Sequence, residues 1–314
     1  MPNNLAPIGL STYSRLRHLQ KTVAALQKND LAGESELFIF SDAPKAGDEH
    51  KVDAVRRYLR TVGGFKAVHI IERAENNRVA NNRGGARMLL DRYGRAILLE
   101  EDVVTAPGFL RFMNQALDKY ESNEKIFSIT GYCPPIAIPA DYESDVFLLR
   151  RLNAWGMGIW KDRFELVKAI PPDEYEQLAA SDDQVRQFTE GGGEDMIRML
   201  KKDAYGLIDA FDVRALYAQF LSDQYTVYPC GSLSSNIGMD GSGTHCGVTS
   251  AYNVVLSSKR SFSLPDNPAV DQRIVVANQE HKSRLGYVSL SARIVGKIRR
   301  MLSLARLQML FRIQ

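Results

Sequence analysis

The stretch Ala96-Ile97-Leu98-Leu99-Glu100-Glu101-Asp102-Val103-Val104 passes directly from an apolar run to consecutive acids. Short apolar runs bounded by polar or turn residues are the mark of strands buried on both faces, as in parallel sheets. Here the strand ends where the carboxylates begin.

Working outward, the same unit recurs. Pro7-Ile8-Gly9-Leu10, Glu36-Leu37-Phe38-Ile39-Phe40, Ala67-Val68-His69-Ile70-Ile71 and Ile126-Phe127-Ser128-Ile129 read as further strands. Helical spacing separates them over residues 16–26 (Leu16, Leu19, Val23, Leu26), 52–62, 84–93 and 109–120. Strands alternating with helices predict an α/β fold with a mostly parallel sheet covered on both faces. Such sheets place ligands at the carboxyl ends of their strands. That rule singles out Asp42-Ala43-Pro44 and Glu100-Glu101-Asp102. Beyond Gly131 the alternation breaks down. Residues 132–145 form a proline-containing loop. Residues 171–193 are acidic, polar and end in Gly191-Gly192-Gly193, which predicts a mobile surface segment. A helix is expected from Asp209 to Leu221, and a Gly/Ser-rich loop over residues 229–250.

The 314 residues, 45% of them hydrophobic, suffice for one large domain with a small appendage. A net charge of +3 is too small to argue for nucleic acid. The basic excess lies in residues 291–314, which carry Arg293, Lys297, Arg299, Arg300, Arg306 and Arg312 and no acid. Ile294, Ile298, Met301, Leu302, Ala305 and Met309 share one helical face there. This is the composition of an amphipathic helix drawn to anionic lipid, although packing on the domain or on a second subunit would use the same face. Cys133, Cys230 and Cys246 form no CxxC pair, so neither zinc nor a disulfide framework is indicated. The N-terminus lacks a signal-peptide pattern, and no segment reaches the ~18 apolar residues of a membrane span. These features predict a cytoplasmic protein, peripheral at the inner face of the cell membrane. The expected division is a catalytic domain over 1–260, a connecting segment over 261–290 and the basic helix over 291–314.

Consecutive carboxylates after a buried strand repel one another unless a cation offsets them. A hard divalent ion with oxygen ligands would do so, and would keep open positions for substrate phosphates. A solvated charge cluster is the plainer alternative.

The string Leu99-Glu100-Glu101-Asp102-Val103-Val104, continued by Pro107-Gly108-Phe109, resembles the acidic metal motif of GT-A glycosyltransferases, namely the bacterial family 2 enzymes and the N-acetylglucosaminyltransferase I family. Further strings resemble the same group in the same order. They are residues 7–26 with the donor turn Ser11-Thr12-Tyr13-Ser14-Arg15, Phe40-Ser41-Asp42-Ala43-Pro44-Lys45, residues 153–160 around Trp155-Gly156, and residues 228–246. The resemblance covers about residues 5–250. It implies a GT-A, Rossmann-like domain that moves a sugar, with inversion, from a nucleotide-diphosphate donor (a UDP-sugar first among them) to a glycan or lipid-linked acceptor in surface polysaccharide synthesis. It implies Mn2+ or Mg2+, with Asp102 as metal ligand and His245 completing the metal shell or reaching the diphosphate. Ser11, Tyr13, Arg15, Asp42, Arg83 and Glu101 would bind the donor, Asp42 by its base. Trp155 and Gly156 would face the acceptor. The family's middle acid is Asp where this chain has Glu101. A sugar-phosphate nucleotidyltransferase shares the fold, but its glycine-rich turn is absent at residues 11–15. A membrane-bound scaffold with a decayed site is the non-enzymatic alternative.

An inverting transferase needs a carboxylate to take the acceptor's proton. In Asp209-Ala210-Phe211-Asp212 the spacing matches a helix cap and its first turn. That assigns Asp209 to capping and leaves Asp212 free; Phe211-Asp212 resembles the Trp-Asp of related enzymes, which implies Asp212 as the base. Asp209 is the second candidate and Glu194-Asp195 the third. Asn81-Asn82-Arg83-Gly84-Gly85 reads either as a glycine cradle for an anion or as a simple helix start. Trp160 is assigned to the core.

Overall fold

The computed structural model describes residues 5–243 and 248–284. Three βα units and a fourth strand build its first half: β1 (Ile8–Thr12) and α1 (Leu16–Gln27), β2 (Glu36–Ser41) and α2 (Glu49–Leu59), β3 (Ala67–Glu72) and α3 (Arg78–Tyr93), then β4 (Arg95–Glu100). The short β5 (Val103–Thr105) leads to α4 (Phe109–Tyr120) and β6 (Ile126–Thr130). β7 (Val146–Leu149), β8 (Met157–Trp160) and α5 (Lys161–Glu165) follow the proline-containing loop. Next come α6 (Pro172–Ala179), α7 (Asp182–Gly192), α8 (Glu194–Ala204), α9 (Phe211–Leu221), β9 (Tyr225–Pro229) and β10 (Ser234–Asn236). Residues 272–284 are helical.

The main sheet has the order β3-β2-β1-β4-β8-β6-β9-β7, and all of its strands except β7 and β8 run the same way. This is the mostly parallel, helix-flanked α/β sheet expected from the apolar runs. Strands β1, β2 and β6 are nearly solid with buried residues, as a sheet covered on both faces requires, while the edge strand β3 is only half-buried. On one face Leu19, Val23 and Leu26 of α1 and Phe112, Met113 and Leu117 of α4 pack on β1, β4 and β6. On the other, Leu89 and Leu90 of α3 and Phe164 of α5 meet Phe38, Phe40 and Phe127. Helices α6 to α9 form their own cluster around Phe188, Leu200 and Leu216.

Two sequence expectations fail here. Residues 171–193 are not a mobile segment: they form α6 and α7, and Phe188 is fully buried. The polar composition reflects one exposed face of each short helix. The helix expected at 84–93 starts six residues earlier, at Arg78, capped by the Asn77 side chain, which accepts from the Ala80 N–H. Gly84 and Gly85 therefore lie inside α3, where their amides serve the helix. They are neither an anion cradle nor a helix start. Gly85 is needed for packing, because a Cβ there would stand 2.7 Å from the Phe40 ring.

The segment after the domain lies against it. Phe262 packs edge-on to Phe112, the Tyr120 hydroxyl donates to the Pro265 carbonyl, and Arg273 pairs with Asp141. The basic tail at 291–314 lies outside the described residues. Among the described residues no helix is long and apolar enough to cross a membrane.

Candidate active site

β1 lies between β2 and β4, so the chain leaves it to one side first and returns to the other. This reversal of strand order opens a crevice beyond the carboxyl ends of β1 and β4. The turn after β1 supplies Tyr13 and Arg15; the turn after β4 supplies Glu101 and Asp102. Ser11 sits in β1, in register between Phe40 and Glu100.

Arg15 joins the two turns. Its Nε donates to Glu101 Oε1 and its Nη2 to Asp102 Oδ2, both at 2.7 Å. Glu101 Oε2 accepts from the Thr12 hydroxyl at 2.7 Å and from the Tyr13 amide at 2.5 Å. Asp102 Oδ1 faces Asn236 Nδ2 at 3.4 Å. Asn236 is delivered by β10, which pairs with β5. Both acids are buried. Burial works against the Arg15 charge, but its hydrogen bonds and the charges of Glu101 and Asp102 outweigh this and raise its pKa further. The cation that the acidic run demands is thus already part of the chain. Among the described residues no group of His, Cys, Asp and Glu side chains is arranged to hold a metal. A divalent ion at Asp102 would have to displace Arg15 first. His245 lies outside the described residues.

Asp42 is buried and its oxygens are engaged. Oδ1 accepts from the amides of Ala43 and Asn77, each at 3.0 Å, and Oδ2 from Asn76 Nδ2 at 3.1 Å. It therefore fixes the turn that starts α3. The Tyr13 hydroxyl donates to Asp48 and accepts from the Lys45 amide, closing the wall beside Asp42.

Asp209 and Asp212 flank the start of α9, and the charge of Asp212 reaches Glu100 at the end of β4. Asp209 does not cap α9: the cap position is Ala210, with no side-chain hydrogen bond. Asp209 instead pairs with Arg83 at 2.6 Å and Arg214 at 3.1 Å, and Arg214 is shared with the buried Asp203. Arg83 is thereby committed to Asp209 and lies over the Phe211 ring. Asp212 makes no hydrogen bond or ion pair among the described residues. Solvent reaches both Asp212 and Glu100, yet protein surrounds them on the other sides, as in the walls of a cleft. That crowding raises the Asp212 pKa, opposed by the charges of Arg151, Arg83 and Arg78. Crowding, then the charges of Asp102 and Asp212, push the Glu100 carboxyl up to about 7. Glu194 begins α8, and Asp195 pairs with Arg151 at 3.2 Å.

Trp155 is edge-on to Tyr132 and Tyr252, and the three rings form an apolar wall. Gly156 adopts φ +79, and a Cβ there would stand 2.9 Å from Phe109, so this position takes only glycine comfortably. Trp160 is core, its indole donating to the Leu117 carbonyl. Three site residues escaped the sequence reading. Glu100 was legible as an acid but not as the titrating one. Arg78 was hidden by the misplaced start of α3, for which Asn77 was the available signal. Arg151 comes from a loop with no local pattern.

No protein-family model and no curated protein matches the chain. Among solved structures it is similar to S. aureus TarS, at 10% identity and a TM-score of 0.35, over 59% of this chain and 33% of that one. It is similar to the mannosyltransferase PcManGT from Pyrobaculum calidifontis, in complex with GDP-Man and Mn2+, at 11% identity and a TM-score of 0.39, over 70% and 73%. It is also similar to mouse xyloside xylosyltransferase 1 in its apo form, at 9% identity and a TM-score of 0.39, over 71% and 84%. The chain thus spans about a third of the TarS chain it matches. At this identity the likeness concerns the fold alone.

Proposed function

We propose that the chain is a glycosyltransferase that moves a sugar from a nucleotide-diphosphate donor to an acceptor hydroxyl with inversion, Asp212 being the base. The observation that carries this is the unpaired carboxylate of Asp212, whose charge reaches Glu100 at the end of β4, beside the strand-order switch. Its raised pKa suits a base, because proton transfer is most effective when the pKa approaches the working pH. Asp209 is a poor base because its carboxylate is already taken by two guanidinium groups. The donor's nucleotide would lie against Ser11, Tyr13 and Asp42, its diphosphate near Arg15 and Arg78. The sugar would extend past Glu101 toward Asp212. The wall of Trp155, Tyr132 and Tyr252 would receive an acceptor sugar face, as aromatic rings favour. A UDP-sugar and a glycan or lipid-linked acceptor of surface polysaccharide synthesis are the proposed substrates. Mn2+ or Mg2+, implied by the resemblance, would require Asp102 to exchange Arg15 for the ion.

The test is turnover of Asp212→Asn beside Asp209→Asn. Asp212→Asn should lose about 10²–10⁴-fold in kcat with donor affinity unchanged, since the proton leaves only in the transition state. Asp209→Asn should retain donor binding and most of its turnover. A dead Asp209→Asn with a near-normal Asp212→Asn would reverse the assignment.

The basic residues of 291–314 support a peripheral place on anionic membrane at the cytoplasmic face. A chain cut after Leu290 should lose binding to anionic vesicles, and salt should weaken binding of the full chain. Equal vesicle binding by both would remove the membrane from this reading.

A further inference from the structure

Glu101 and Asp102 are held by several donors. Arg15 spans Glu101 and Asp102, and Glu101 Oε2 is taken by Thr12 and Tyr13. Gly238 closes over Asp102 so tightly that a Cβ there would stand 2.0 Å from Asp102 Oδ2 and 2.9 Å from Arg15 Nη1. A divalent ion needs several oxygens at about 2.0–2.6 Å. Three of the four carboxylate oxygens of Glu101 and Asp102 already accept from a guanidinium, a hydroxyl or an amide, and Asp102 Oδ1, with Asn236 at 3.4 Å, offers a single ligand, so the residues present do not fit a metal without breaking the Arg15 fork. One donor is left over. Arg15 Nη1 is buried and has no acceptor among the described residues.

We propose that Arg15 is the permanent counter-ion of Glu101 and Asp102 and that the chain binds its nucleotide diphosphate without a divalent metal. This rests on the donor reading above. An arginine cannot be deprotonated under working conditions, and its planar fork matches carboxylate and phosphate oxygens. Nη1 lies under Gly238, so a phosphate oxygen reaches it only when the turn at Gly238 shifts off the guanidinium. A guanidinium brings one positive charge where a divalent ion brings two, so a second cation is needed. Arg78 supplies it: it makes no ion pair among the described residues, and its charge is felt at both Glu100 and Asp212.

The experiment is calorimetric titration of the full chain with Mn2+ alone, then with UDP and GDP in EDTA and in Mn2+. The wild type should bind no Mn2+ at millimolar concentration and should bind a nucleotide diphosphate equally well in both buffers. Arg15→Ala should weaken that binding about tenfold or more, the loss of one charge-assisted contact. It should also gain Mn2+ binding that Asp102→Asn removes. Should Arg15→Ala fail to fold, Arg15→Lys keeps the charge without the fork, and should let Mn2+ compete. Mn2+ binding by the wild type that Asp102→Asn abolishes, with nucleotide binding lost in EDTA, would overturn the proposal. If neither nucleotide binds in any buffer, the donor reading fails instead, while the Mn2+ arm still decides the role of Arg15.

Discussion

Glu100 is the residue through which pH acts on this site. Its folded pKa of about 7 lies above the ordinary value of 4.5. The folded chain therefore binds this proton more tightly than the unfolded one. The associated stability is fully present below pH 4.5 and is lost as pH rises through about 7. Glu100→Gln removes the titrating group. The wild type should lose more melting temperature than Glu100→Gln between pH 4.5 and about 7, and parallel profiles would show that Glu100 does not titrate there. The sequence shows that acids follow β4, and chemistry says they need a cation. It does not show that the cation is Arg15, because the partners are 86 and 87 residues apart and meet only once β1 and β4 pair. The same distance hides the grip of Asn236 and Gly238 on Asp102.

At the scale of elements, the strands of the first half were legible because each is a dense apolar run, and burial on both faces leaves no other reading. Helices α1 and α4 were legible because their apolar residues recur at helical spacing over a single face. The start of α3 was not, because its first turns are mostly polar and bury only Asn81 before Gly85. Glycines in that region suggested an anion cradle or a helix start, whereas Gly85 serves to let α3 lie against Phe40. Helices α6 and α7 were missed for a related reason: each is short and buries few residues, and glycine closes the second. The spacing of Asp209 and Asp212 correctly left Asp212 unpaired. It gave the wrong cause, since Asp209 is held by Arg83 and Arg214 rather than by the end of α9.

In the whole molecule, the order of strands puts the crevice at the β1–β4 boundary, and the second half of the chain walls it. Helix α9 brings Asp212, and the loop after β7 brings Arg151 and Trp155. Residues 272–284 brace that side, where Lys282 donates to the Gly192 carbonyl beside Arg151. On the proposed reading, the acids of the β4 turn, the unpaired Asp212 carboxylate and the nearby arginines would receive an anionic, sugar-bearing ligand. The most direct test of that account is the melting temperature of the full chain against a panel of nucleotide-diphosphate sugars. Ligand at a hundred times its Kd adds about 2.7 kcal/mol to the stability of a protein that binds it only when folded. At least one nucleotide-diphosphate sugar should raise the melting temperature, and Arg78→Ala should shrink that rise while leaving the unliganded temperature in place. A panel in which no nucleotide sugar moves the wild type would contradict the account.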